Sequence, residues 1–219
     1  MKLPSINAVE RFHRCLMGWF HENARTFFWR NKDATTYQQV VSEVLLQRTT
    51  ATAVARFLPA FLDRYPSWEA IAGSDEEELG DTLRPLGLWR RRATSLLQLA
   101  QVMVKLKDGL PTTREKVELL PGIGQYIASA ILIIHHGHPE PLLDTNMARL
   151  LERYFGPRKL VDIRYDPYLQ ALARMVVAQG EPKETNWAIL DHAALVCRLR
   201  NPICPSCALR SECRFAQGH

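Results

Sequence analysis

Apolar residues recur at three- and four-residue spacing along most of the chain, in stretches at 9–20, 37–46, 54–65, 88–106, 126–134, 144–154, 167–177 and 187–197. That is the period of an amphipathic helix. No stretch alternates with the period of two that a half-buried strand requires. Punctuation agrees with the pattern. Ser74-Asp75-Glu76-Glu77-Glu78 reads as an acidic helix start, Gly87 and Gly109 stand where C-caps belong, and Pro111-Thr112-Thr113-Arg114-Glu115 reads as a capped entry. The expectation is an all-α fold. The pattern breaks at His135-His136-Gly137-His138-Pro139-Glu140-Pro141, which marks a candidate boundary. No Gly/Ser linker, low-complexity tract or internal repeat is evident.

Composition narrows the class. The 219 residues are 47% hydrophobic and 23% charged, which excludes wholesale disorder and leaves room for one large or two small cores. No apolar run reaches the ~18 residues of a membrane span. Glu10, Arg11 and His13 arrive too early for a signal h-region, so the expected location is the cytoplasm. The net charge of +5 permits a polyanionic partner without requiring one.

Four of the five cysteines change the picture more. Cys197, Cys204, Cys207 and Cys213 follow the spacing Cys-x6-Cys-x2-Cys-x5-Cys, while Cys15 stands alone and is expected to be a spectator. In a reducing compartment such a cluster reads as a metal site rather than as disulfides. Pro202 and Pro205 stiffen the turn that presents the Cys-x-x-Cys pair. Four thiolates suit tetrahedral zinc or a [4Fe-4S] cube, and spacing alone leaves both open. Arg198, Arg200, Arg210 and Arg214 interleave with the cysteines, either as a solvated face or as a basic knob for a phosphate backbone.

Leu120-Pro121-Gly122-Ile123-Gly124-Gln125-Tyr126 opens the helix at 126–134. A helical stretch at 112–119 precedes it. A strand would be needed for a dinucleotide loop, so the alternatives are a plain tight turn or a helix–hairpin–helix whose backbone amides grip a DNA phosphate. Asp144 stands at an N-cap position before Met147-Ala148-Arg149-Leu150-Leu151 and reads first as a cap. Glu43 lies within Val40-Val41-Ser42-Glu43-Val44-Leu45-Leu46, so it either points to solvent or sits in a functional pocket with a raised pKa.

In this order, Glu43-Val44-Leu45-Leu46-Gln47-Arg48-Thr49, the hairpin Leu120 to Gly124, Asp144-Thr145-Asn146 and the cysteine loop resemble the endonuclease III / helix–hairpin–helix DNA glycosylase superfamily, over roughly residues 25–215. The resemblance implies a six-helix domain at 31–136 carrying the hairpin, and a second domain of 1–30 plus 137–219. It tips the cofactor to a [4Fe-4S] cluster on Cys197, Cys204, Cys207 and Cys213. Double-stranded DNA carrying a mismatched or damaged base would bind a monomer across the cleft, the target nucleotide flipped out of the stack. Asp144 maps onto the family's catalytic aspartate, with Glu43 and Tyr126 completing the expected chemistry. The DNA contacts implied are Gln47, Arg48, Leu120, Gly122, Ile123, Gly124, Gln125, Asn146, Arg198 and Arg200. Arg48 would enter the gap left by the base. Trp89 is a second wedge candidate beside its plainer reading as a core aromatic.

Bifunctional members carry a lysine where Tyr126 stands, so no Schiff base and no strong strand cleavage is expected. Glu43 resembles the acid of both the adenine glycosylases and the thymine/uracil mismatch glycosylases, while Gln125-Tyr126 and Leu45-Leu46-Gln47-Arg48-Thr49-Thr50-Ala51 look most like the archaeal-type thymine–guanine mismatch glycosylases. The implied activity is hydrolysis of the N-glycosidic bond of thymine or uracil opposite guanine, in a prokaryotic cell where the protein works on the nucleoid. The alternatives are an adenine glycosylase lacking its C-terminal reader domain and a catalytically silent DNA-binding member of the fold.

Overall fold

The computed structural model describes residues 2–107 and 109–218, and among them every regular element is helical. The chain divides into two compact units, Thr26–His135 and the combination of Met1–Arg25 with His136–His219. None of the described helices is long and apolar enough to cross a membrane.

The unit at 26–135 contains α2 (Thr36–Leu46), α3 (Ala51–Arg64), α4 (Trp68–Ala72), α5 (Glu76–Leu83), α6 (Trp89–Leu106), α7 (Arg114–Glu118) and α8 (Gln125–His136, its last residue just past the division). Its core is built around Trp68, Phe61, Leu45, Leu58, Leu79, Leu96 and Met103, all fully buried. Local signals set the helix starts. Thr35 and Gln38 form a reciprocal capping box on α2, and Asp75 caps α5 ahead of three glutamates, as the acidic run predicts. Two expected caps differ. The chain leaves α6 through Lys107 in the left-handed region (φ 50°) rather than at Gly109, and the Thr113 side chain makes no capping bond to α7. The one-and-a-half turns of α4 are too short to register as a period.

The other unit holds α1 (Ile6–Asn23), α9 (Thr145–Phe155), α10 (Pro167–Val177), α11 (Pro182–Leu195) and α12 (Arg214–Gln217). Phe12 of α1 packs edge-on to Tyr154 at 4.8 Å and against Phe155 at 5.2 Å. Asp191, wholly buried, accepts from the Arg25 backbone N at 2.9 Å and from its Nε at 2.8 Å, which ties the end of the N-terminal segment to α11. Asn186 likewise joins two stretches of backbone: it accepts from Leu142 N and donates to the carbonyls of Glu140, in the segment before α9, and of Pro182, one turn back on α11. That bracket fixes the entry to α9, where Asp144 stands.

Candidate functional site

Asp144 is the N-cap of α9, as its sequence position predicts. Oδ1 accepts from the backbone N of Asn146 and of Met147, both at 2.8 Å, and Oδ2 accepts from Asn146 Nδ2 at 2.6 Å. Burial raises its pKa, while those three donors and the charge of Arg149 act the other way. The carboxylate is therefore half-dry and already aimed without help from a ligand. Asn146, expected at the DNA, also passes the arrangement on: its Oδ1 accepts from Arg149 Nη2 at 3.1 Å. Arg149 in turn donates to the carbonyls of Cys197 and Ala193, each at 2.8 Å.

Arg153, one turn further along α9, donates to the Arg198 carbonyl at 2.7 Å and the Leu199 carbonyl at 3.2 Å, and stacks over Phe215 at 4.5 Å. Arg149 and Arg153 thus hold the start of the cysteine loop by its backbone. Sequence reading passed over both, because an arginine on an amphipathic helix looks solvated until its partners are known. Arg198 and Arg200 themselves are exposed.

All four loop cysteines line one pocket of about 340 Å³, its open mouth included, floored by Leu150, His192 and Leu209. Cys197 is buried, and the other three are partly so. Cys207 Sγ lies 3.4 Å from Nε2 of the fully buried His192, whose ring is held edge-on by Trp19 at 4.8 Å. Burial pushes the Cys207 thiol up to about 11. Among the described residues no three His, Cys, Asp or Glu side chains draw together closely enough to hold a single ion. Cys15 is exposed on α1.

In the unit at 26–135, Glu43 is 6% exposed and its Oε2 has no hydrogen-bond partner. The solvent-facing alternative is therefore excluded. Burial pushes its carboxyl up to about 7, against the opposing charge of Arg30. Tyr126, at the start of α8, packs partly buried against the core.

The hairpin joins α7 to α8. Gly122 adopts φ 73°, and a Cβ there would meet Ser95 of α6 at 3.0 Å; the turn needs glycine for both reasons. A Cβ at Gly124 would meet open space, so that face of the turn is accessible. Leu120 and Ile123 bury their side chains in the core, leaving only their backbone for a ligand, while Gln125 and Leu119 (82%) are exposed. Gln47 donates from Nε2 to the Gly122 carbonyl at 3.1 Å, joining the loop after α2 to the hairpin.

Arg48 is exposed and left-handed at φ 53°. So is Leu88, at φ 51° and 54% exposed, immediately before α6. Its neighbour Trp89 packs on the core and closes on Gly80, where a Cβ would meet its ring at 2.9 Å, with Arg84 and Arg90 on its faces. The core reading of Trp89 holds. The exposed apolar side chain is the residue before it, which apolar periodicity had absorbed into the helix.

A profile of the HhH-GPD superfamily of base excision DNA repair proteins matches residues 41–165. The chain is 37% identical over 212 residues to the thymine-DNA glycosylase of Aeropyrum pernix, covering 94% of this chain and 95% of that one. Its fold superposes on the structure of a thermostable thymine-DNA glycosylase with a TM-score of 0.88, at 27% identity and with 97% and 98% of the two chains covered. It superposes on endonuclease III trapped as a covalent intermediate with DNA with a TM-score of 0.80, at 18% identity and 99% coverage of both chains. The match over more than half the chain, with the hairpin and Asp144 both inside it, places this protein in the HhH-GPD superfamily of base excision DNA repair proteins.

Proposed function

We propose that the protein is a monofunctional DNA glycosylase that hydrolyses the N-glycosidic bond of thymine or uracil mispaired with guanine. The observation that carries the reading is the Asp144 carboxylate, locked by three donors at the start of α9 inside the matched region. Full-length similarity to a thymine-DNA glycosylase supports the choice of base. Breaking the bond dissociatively leaves positive charge on the sugar and negative charge on the departing base. An ionised, pre-aimed carboxylate stabilises the sugar cation while water adds to the anomeric carbon. Glu43, its carboxyl pushed up to about 7 by burial, delivers a proton to the leaving base, and the proton released by the attacking water restores that carboxyl. Tyr126 lines the base pocket and offers no amine. The amides of the hairpin, together with Arg198 and Arg200, hold phosphate, and Arg48 and Leu88 enter the duplex where the base has left.

The test is an excision panel on duplexes containing T·G, U·G, A·G and A·8-oxoguanine, with alkali added afterwards to reveal abasic sites. T·G and U·G should be cut only after alkali, and borohydride should trap no protein–DNA adduct. Excision confined to adenine overturns the choice of base; scission without alkali overturns the monofunctional reading.

The four cysteines hold a [4Fe-4S] cluster in this proposal. The support is their shared pocket and their Cys-x6-Cys-x2-Cys-x5-Cys spacing, and the group, when bound, supplies a rigid anionic cross-link. Protein purified without oxygen should be brown, with broad absorbance near ~400 nm. Cys15→Ala should keep the colour. Cys204→Ala should lose both colour and soluble yield, because Arg149 and Arg153 are anchored on the loop's backbone. Colourless wild-type protein containing one zinc would overturn the assignment.

A further inference from the structure

Arg92 lies in the first turn of α6 and is buried. Its guanidinium has five N–H groups, and the structure gives each an acceptor. Nε donates to the Gly87 carbonyl at 2.9 Å, and Nη1 to the carbonyls of Val44 and Leu45, both at 3.2 Å. Nη2 donates to the Gln47 carbonyl and, at 2.6 Å, to Thr49 Oγ1. All five acceptors are neutral. A buried cation held without a carboxylate is costly, and what offsets the cost here is the negative end of α2, whose last carbonyls it caps.

The two segments that Arg92 joins each carry a left-handed non-glycine residue, a conformation that Lys107 and Asn201 share elsewhere among the described residues. Arg48 lies between Gln47 and Thr49, and Leu88 follows Gly87; both are exposed, non-glycine and left-handed. Such backbone persists only where its surroundings over-determine it. A planar fork that reaches both segments at once fixes their separation as well as their conformation, which a cap on either one would not do. From the far side, Ser95 of the same helix packs against Gly122 of the hairpin.

We propose that Arg92 is a positioning residue for mismatch discrimination: it sets the distance between the loop carrying Arg48 and the turn carrying Leu88, so that both meet the gap in a duplex whose mispaired base has left. This rests on the reading of those two segments as the ones that enter the duplex. Arg92 itself touches no DNA. Its loss should therefore act on discrimination and leave phosphate binding unchanged.

Arg92→Lys keeps the charge but replaces the five-donor fork with a single three-donor point. Single-turnover excision from a T·G duplex should fall by roughly tenfold to a hundredfold, the scale of a misplaced positioning group. The preference for T·G over paired T·A should shrink with it. Affinity for fully paired duplex and its salt slope should stay as in wild type, because no counterion-releasing contact is lost. Guanidinium ion added to Arg92→Ala should restore part of the rate, and ammonium should not. A lower melting temperature with discrimination intact would reduce Arg92 to a clamp on the fold and overturn the proposal. Arg48→Ala and Leu88→Ala separate the two layers. If both discriminate like wild type, the reading of the loops fails. If they lose discrimination while Arg92→Lys keeps it, the role of Arg92 alone fails.

Discussion

Asp144→Asn should fold, bind mismatched DNA and excise thymine roughly 10²-fold or more slowly than wild type, the loss typical of removing one pre-aimed electrostatic group. The substitution is informative because the position has two duties that it separates. Asparagine is as good an N-cap as aspartate, and its Oδ1 keeps the bonds from Asn146 N and Met147 N. What changes is the other corner. Oδ2 accepts from Asn146 Nδ2, so an amide nitrogen in that place faces a donor. Relief requires Asn146 to turn over, which releases Arg149 Nη2 from its Oδ1. The expected stability cost is about one hydrogen bond, ~1 kcal/mol, and not a lost helix. A melting curve near wild type together with a collapsed single-turnover rate is the predicted pair of results. Excision at close to the wild-type rate would leave Asp144 as a cap and nothing more. Asp144→Ala, which loses both duties, should melt lower as well.

What could be read in advance depended on how local each feature is. The caps at Asp75 and Asp144 were legible because a helix start is decided within four residues. The hairpin was legible because its φ-positive glycine and its proline are written in the sequence. Arg92 was not. In the run Trp89-Arg90-Arg91-Arg92 three arginines look alike, and only the rotation of α6 against the end of α2 buries the third. Leu88 was hidden by the same periodicity that found the helix, since an apolar residue at its first turn fits the stripe. Arg149 and Arg153 became visible only when the cysteine loop came back onto α9. Glu43 lay between the two cases. An acid on an apolar helix raised the question, and tertiary packing alone answered it.

That answer sets the second large effect, which is a dependence on pH. The Glu43 carboxyl titrates near 7 in the folded chain, mainly because burial penalises its charge, and near the ordinary ~4.3 when unfolded. The folded state thus holds the proton more tightly. Its contribution to stability is full below the unfolded value, declines as pH rises through about 7, and is gone above it. The whole span is of order 3 kcal/mol for a shift of this size. Glu43→Gln cannot ionise, so its melting temperature relative to wild type should climb from pH 5 to pH 8. At pH 8 the variant should be the more stable protein. The same proton governs the chemistry. If it passes from Glu43 to the departing base, wild-type single-turnover excision falls as pH rises through about 7, and Glu43→Gln is slow, by roughly 10²-fold, at every pH. A rate that rises through pH 7 would instead make Glu43 the base that activates water. A profile with no inflection there, beside a variant of normal rate, would remove Glu43 from the reaction and leave its buried, unpartnered oxygen as a cost in stability alone.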